Sequence, residues 1–149
     1  MNKAFVREND SDATRCPRCQ SLGQAVRTET LDAQILPPHR ADIAQTGYYC
    51  PQADCPVVYF DVFERAVERP HVRSAGYPKD PTAPLCACFG LTEEDVEADL
   101  TEGGVTRTRQ CVDRAKSPAA HCSTSAASGN SCIAAVQRFY LQRKAEWGL

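Results

Sequence analysis

Nine cysteines in 149 residues constrain this chain more than any other feature. An odd number cannot pair off completely as internal disulfides, and so many thiols exceed what packing requires of a protein this size. They fall into two sets. Cys16, Cys19, Cys50 and Cys55 precede the segment RPHVRSAGYPKDPTAPL, and Cys86, Cys88, Cys111, Cys122 and Cys132 follow it. Pro70, Pro78, Pro81 and Pro84, with Gly76, suit that segment to an extended connector. The sequence therefore predicts a lobe over residues 1–70, a connector over 71–84 and a second lobe over 85–149, each with a thin core. Bound metal is the natural staple for such lobes.

The remaining composition narrows the function. The opening MNKAFVREND lacks the apolar stretch of a signal peptide, and VVYF is among the longest apolar runs. These features predict a cytoplasmic protein with no membrane insertion, where thiols persist as thiols or metal thiolates. A net charge of -2, with basic residues scattered among acids, argues against nucleic acid as a partner. No Ser-His-Asp constellation and no Gly-rich phosphate loop is visible, so the only activity left open is metal-ion reduction by electron transfer. The acidic run TEEDVEAD reads as a solvated helix face, or as a docking surface for a basic partner.

In the first set, Cys16-x2-Cys19 is followed about thirty residues later by Cys50-x4-Cys55. Each short loop can turn two thiolates toward one tetrahedral zinc ion. Around the second pair, TGYYC and VVYFDVF are rich in aromatic and β-branched residues, which predicts a small antiparallel ribbon whose turns hold the metal. His39 and His71 are alternative ligands, although His39 follows two prolines in a polar loop and His71 opens the connector.

The second set sits among helix signals. Thr92 is placed as an N-cap with Asp95 at the capping-box position, Val96 and Leu100 share a face, and Gly103-Gly104 provides the stop. Thr106 is placed to cap RTRQCVDRAKS, and Asn130 or Ser131 to cap a third helix with Ile133, Val136 and Tyr140 as its apolar stripe. The expected fold class is α+β: a β-rich zinc lobe, then a helical lobe. Cys86 and Cys88 precede the first helix, Cys122 lies in a loop, and Cys132 opens the third helix. Four such thiolates can enclose a 2Fe-2S cluster, the C-x-C pair on one iron and the other two cysteines on the second. Mid-helix Cys111 reads as a free thiol, packed or partly exposed, and His121 raises a histidine-ligated alternative.

CACFGLTEEDV with TEGGVTRTR resembles the helical 2Fe-2S fold of bacterioferritin-associated ferredoxin, in which C-x-C and two helices precede a C-x2-C pair. Here the last two cysteines have nine residues between them. That spacing, taken with CPRC and YYCPQADCPVVYF, is similar to the N-terminal domain of CopZ-type copper metallochaperones, which join a zinc lobe to a 2Fe-2S lobe. The resemblance implies zinc at Cys16, Cys19, Cys50 and Cys55, and a 2Fe-2S cluster at Cys86, Cys88, Cys122 and Cys132. It implies a metallochaperone-like protein in one-electron redox handling of metal ions, copper in the family, with a copper carrier or an electron donor as partner. Non-redox binding and delivery of soft metals by thiols including Cys111, or a zinc-ribbon interaction module, are the alternatives. The family's long form adds a ferredoxin-like domain with an M-x-C-x2-C copper site. No such motif occurs in these residues, so copper transfer would be shared with a separate protein.

Overall fold

Strand-forming and helix-forming stretches are segregated along the chain, and the architecture follows that segregation. The structure, a computed structural model, describes residues 15–149. They form two compact units that divide between Ala75 and Gly76. Strands lie in the first and the long helices in the second, an α+β arrangement.

In the first unit β1 (Gln24–Val26), β2 (Gly47–Tyr49), β3 (Val57–Phe60) and β4 (Ala66–Glu68) form one antiparallel sheet in chain order. Val26 pairs with Gly47, Tyr48 with Phe60, and Tyr59 with Val67. The run VVYF makes β3, and all four of its side chains are buried, as suits β-branched and aromatic residues covered on both faces. A Cβ at Gly47 would lie 2.7 Å from the Phe60 carbonyl oxygen, so only glycine lets the two strands approach this closely. The expected ribbon is therefore larger than the cysteine-flanking strands alone. A short helix, α1 (Thr28–Gln34), was not anticipated: TETLDAQ offers one large apolar residue, Leu31, and that residue is completely buried.

Asp61, just after β3, organises the following turn. Its carboxylate accepts the N–H groups of Ala44 (2.9 Å), Phe63 (3.0 Å) and Arg65 (3.0 Å), and the Arg65 guanidinium at 2.9 Å. Burial alone would raise this carboxyl, but those donors outweigh it and hold the group below the usual carboxylate range.

The segment 71–84, read from its prolines as an extended connector, is packed in several places. Val72 bridges to Ile35, the Arg73 N–H donates to the Gln34 carbonyl at 2.7 Å, and the Tyr49 hydroxyl donates to the Ala75 carbonyl at 2.8 Å. In the second unit Lys79 is buried, and the Tyr77 ring meets Phe139 edge-on at 6.3 Å. Proline here shapes turns that dock on the two units.

The second unit contains α2 (Glu93–Glu102), α3 (Thr106–Ala115), the single turn α4 (Cys122–Ser125) and α5 (Ile133–Glu146). The α2 signals act as read. Thr92 and Asp95 form a reciprocal capping box, and Gly103 ends the helix in the left-handed conformation at φ 79°. For α3 the expected Thr106 cap is replaced. Val105 holds the N-cap position, and the donors of the first turn are met from α2 by Asp99. Its carboxylate accepts Arg107 N–H at 3.1 Å, Thr108 N–H at 2.7 Å and the Thr108 hydroxyl at 2.8 Å, with the Arg107 guanidinium at 2.9 Å. At the start of α5 Cys132 is the N-cap residue, and the Ser131 hydroxyl accepts the Ile133 N–H at 3.3 Å. The α5 stripe is centred on Val136 and Phe139, while Ile133 and Tyr140 are half-buried beside it.

Asp99→Ala should destabilise the helical unit by about 3–5 kcal/mol, because it strands the partners of a buried charge. Early loss of far-UV circular dichroism in urea reads this directly. Burial pushes the Asp99 carboxyl up, but the hydrogen bonds from Thr108 and Arg107 outweigh it and hold the group low. Its contribution is therefore complete above the ordinary value of about 3.9 and fades as pH falls through the lower folded value. Asp99→Asn should flatten the acid limb of the urea midpoint against pH. Gly47→Ala should cost the sheet about 1–3 kcal/mol, measured as a lowered thermal midpoint of the first unit.

Candidate metal centres

The first cysteine group is built by two loops held against β3. In the Cys16–Cys19 loop the Gln20 N–H returns to the Cys16 carbonyl at 2.9 Å, and the Arg18 N–H points at the Cys16 sulfur at 3.4 Å. Gln20 takes φ 66° to close the turn. In the Cys50–Cys55 loop the Cys50 N–H pairs with the Val58 carbonyl at 2.9 Å, and the Arg69 guanidinium holds the Ala53 carbonyl at 2.7 Å. The four sulfurs all lie within 4.8 Å of one another, with Cys16 to Cys55 at 3.9 Å and Cys19 to Cys50 at 3.5 Å. Zinc–sulfur bonds of about 2.3 Å put tetrahedral sulfurs about 3.8 Å apart, so this donor set fits a closed zinc site. Val57 and Phe60 pack against it. Burial raises the Cys19 thiol, yet hydrogen bonds from the Ser21 side chain and backbone and from Cys50 bring it down to about 6. Zinc binding at such a site requires thiolates, so it is coupled to proton release.

His39 and His71 lie outside this group. Their rings stack on each other with centroids 3.6 Å apart, and His39 Nδ1 contacts the Asp42 carboxylate at 3.0 Å.

In the second unit five thiols gather as a triplet and a pair. The sulfurs of Cys86, Cys111 and Cys132 lie within 4.8 Å of one another and all three residues are buried. Cys88 contacts Cys122 at 3.4 Å, both half-buried, and the His121 backbone N–H donates to the Cys88 sulfur at 3.4 Å. The C-x-C pair is thus divided: Cys86 faces inward and Cys88 turns toward Cys122. The Cys86 loop is fixed by its N–H to the Leu91 carbonyl (3.2 Å) and by the Gly90 N–H to its own carbonyl (2.8 Å). Hydrogen bonds from the Cys111 and Cys132 thiols, with backbone donors at Phe89 and Cys88, hold Cys86 well below its usual range. Donating to Cys111 and Cys86 pushes the Cys132 thiol up.

Cys111, expected as a free thiol or as a donor in direct soft-metal binding, is brought into the buried triplet. On α3 the buried residues are Thr108, Cys111 and Val112, a spacing that places its thiol on the inward face. The His121 ring lies beside Phe89, and its Nδ1 contacts the Ser125 hydroxyl. Among the described residues no helix is long and apolar enough to cross a membrane.

Residues 13–73 match the family model zf_CopZ, described as a zinc binding domain. The X-ray structure of the Archaeoglobus fulgidus CopZ N-terminal domain is similar, with a TM-score of 0.68 at 23% identity over 84% of this chain and 96% of that one. No curated protein matches the chain in sequence. The four-cysteine group thus lies within a stretch that matches a zinc-binding domain, and the chain shares the fold of the CopZ N-terminal domain.

Proposed function

We propose that the chain is a two-centre metal protein acting in one-electron handling of copper ions. On this reading Cys16, Cys19, Cys50 and Cys55 hold zinc, and Cys86, Cys88, Cys122 and Cys132 hold a 2Fe-2S cluster. The observation that carries it is the gathering of thiols from three separate elements of the second unit, next in sequence to a zinc-binding domain match. Copper as the metal handled rests on the likeness to a domain named CopZ.

The residues divide the work. The first four cysteines cross-link two loops, and zinc there would be redox-inert and structural. A bound 2Fe-2S cluster supplies one-electron transfer. Around it the chain sets the charge balance. Cys132 stands at the N-terminus of the fourteen-residue α5, whose positive dipole end favours a thiolate, and the His121 N–H offers a hydrogen bond at the Cys88 sulfur. Burial of Cys86 and Cys132 keeps water from one side of the centre, and half-exposed Cys88 and Cys122 mark the side an electron donor or copper carrier would approach. A second reading, direct binding of soft metal by the thiols, is favoured by the three-sulfur group of Cys86, Cys111 and Cys132.

Protein purified anaerobically should be red-brown, with two irons, two sulfides and one zinc per chain by elemental analysis. The reduced protein should be reoxidised by Cu(II) without oxygen. A colourless chain that cannot be reconstituted, and whose Cu(I) binding falls on Cys111→Ser, would favour the second reading instead. Cys50→Ser should release the zinc and unfold the first unit, because metal binding at such a site is worth about 10 kcal/mol or more to folding. Tyrosine near-UV circular dichroism together with zinc analysis checks this.

A further inference from the structure

Five thiols converge in the second unit on a centre that offers four cysteine positions, and they are not evenly shared. Cys88 and Cys122 form one pair at 3.4 Å. The other two positions are contested by Cys86, Cys111 and Cys132, buried and mutually within 4.8 Å. We propose that Cys111 is a reserve ligand of this centre, able to take the coordination position of Cys132.

The exchange favours Cys132 over Cys86 for structural reasons. Cys86 is pinned in its loop by backbone hydrogen bonds on both sides, at 3.2 and 2.8 Å. Cys132 follows the Ser- and Gly-rich stretch STSAASGNS, makes no side-chain cap bond at the start of α5, and is held on its carbonyl side by the Val136 N–H at 2.9 Å. Cys111 is presented by the middle of α3, whose first turn is locked by Asp99, and its sulfur already lies within 4.8 Å of those of Cys86 and Cys132. The exchange is redox-neutral. Cys111 gives up its thiol proton as its sulfur takes the iron, and the departing Cys132 thiolate takes one up. A centre built this way keeps its cluster when Cys132 is displaced, oxidised or lost.

The inference rests on the 2Fe-2S reading, and the test separates the two. Wild type, Cys132→Ser and Cys132→Ser/Cys111→Ser are purified anaerobically as full chains and compared by iron, sulfide and zinc content, visible absorption and electron paramagnetic resonance after reduction. Cys132→Ser should keep most of its iron and sulfide with an altered resonance, and the double variant should lose them while keeping its zinc. Equal cluster loss in the single and double variants would overturn the reserve role. A wild type without iron that resists reconstitution would instead overturn the cluster reading itself. A second measurement does not depend on the folding of any Cys132 variant. Iron removal by a strong chelator should run several-fold faster from cluster-loaded Cys111→Ser than from wild type, because an arm that dissociates is no longer replaced. Equal rates would overturn the proposal.

Discussion

The convergence of cysteine sulfur on two points is the constraint that the rest of this chain accommodates. In the first unit Cys16, Cys50 and Cys55 are themselves core, packed with Val57 and Phe60. In the second, Cys86, Cys111 and Cys132 sit in the same cluster as Leu85, Leu91, Val96, Leu100, Val112, Val136 and Phe139. A neutral thiol packs as a small hydrophobe. A thiolate in the same place needs a positive partner or hydrogen-bond donors. Balancing sulfur charge is the physical link between folding and metal in the zinc-binding stretch, and on the proposed reading it would act in the second unit as well.

Carboxylates are used differently from sulfur. The buried Asp61 and Asp99 each collect backbone N–H groups and an arginine, and neither belongs to a cysteine group. Asp99 fixes the first turn of the helix that carries Cys111. Arg69, through the Ala53 carbonyl, steadies the loop between Cys50 and Cys55. Hard oxygen donors thus position loops and helix ends, and soft sulfur donors are left in the cysteine groups, a division that would suit thiophilic ions.

What was legible in the sequence was local. The capping box of Thr92 and Asp95 and the Gly103 stop depend on neighbours within a turn, and each acts as its spacing says. The strand VVYF announces itself by β-branched and aromatic residues with no help from context. The start of α3 was misplaced onto Thr106 because the group that satisfies its first turn, Asp99, comes from the preceding helix. Helix α1 was missed because its one apolar anchor, Leu31, carries no periodic signal. The cysteines show the same limit. Spacing groups Cys16 with Cys19 and Cys50 with Cys55, while the cross-loop contacts that bring all four together, Cys16 to Cys55 and Cys19 to Cys50, are tertiary. The inward face of Cys111 could have been read from Thr108 and Val112 at helical spacing, but its meeting with Cys86 and Cys132 is tertiary.

The division of the C-x-C pair bears on the proposed electron route. Cys86 and Cys88 flank one residue, and the turn that follows sends the first into the core and the second to the surface beside Cys122 and His121. Two cysteines acting together on one iron would make the centre's two ends chemically alike in depth. On the proposed reading the split would make them unlike: Cys86 and Cys132 are buried with Val96, Leu100 and Val136 while Cys88 and Cys122 are half-exposed, and backbone N–H groups reach sulfur on both sides, from Phe89 and Cys88 at Cys86 and from His121 at Cys88. Lower polarity disfavours added negative charge, and a hydrogen bond at sulfur favours it. On the proposed reading these two influences oppose each other at the buried end, so what would distinguish the end held by Cys88 and Cys122 is that a partner can reach it.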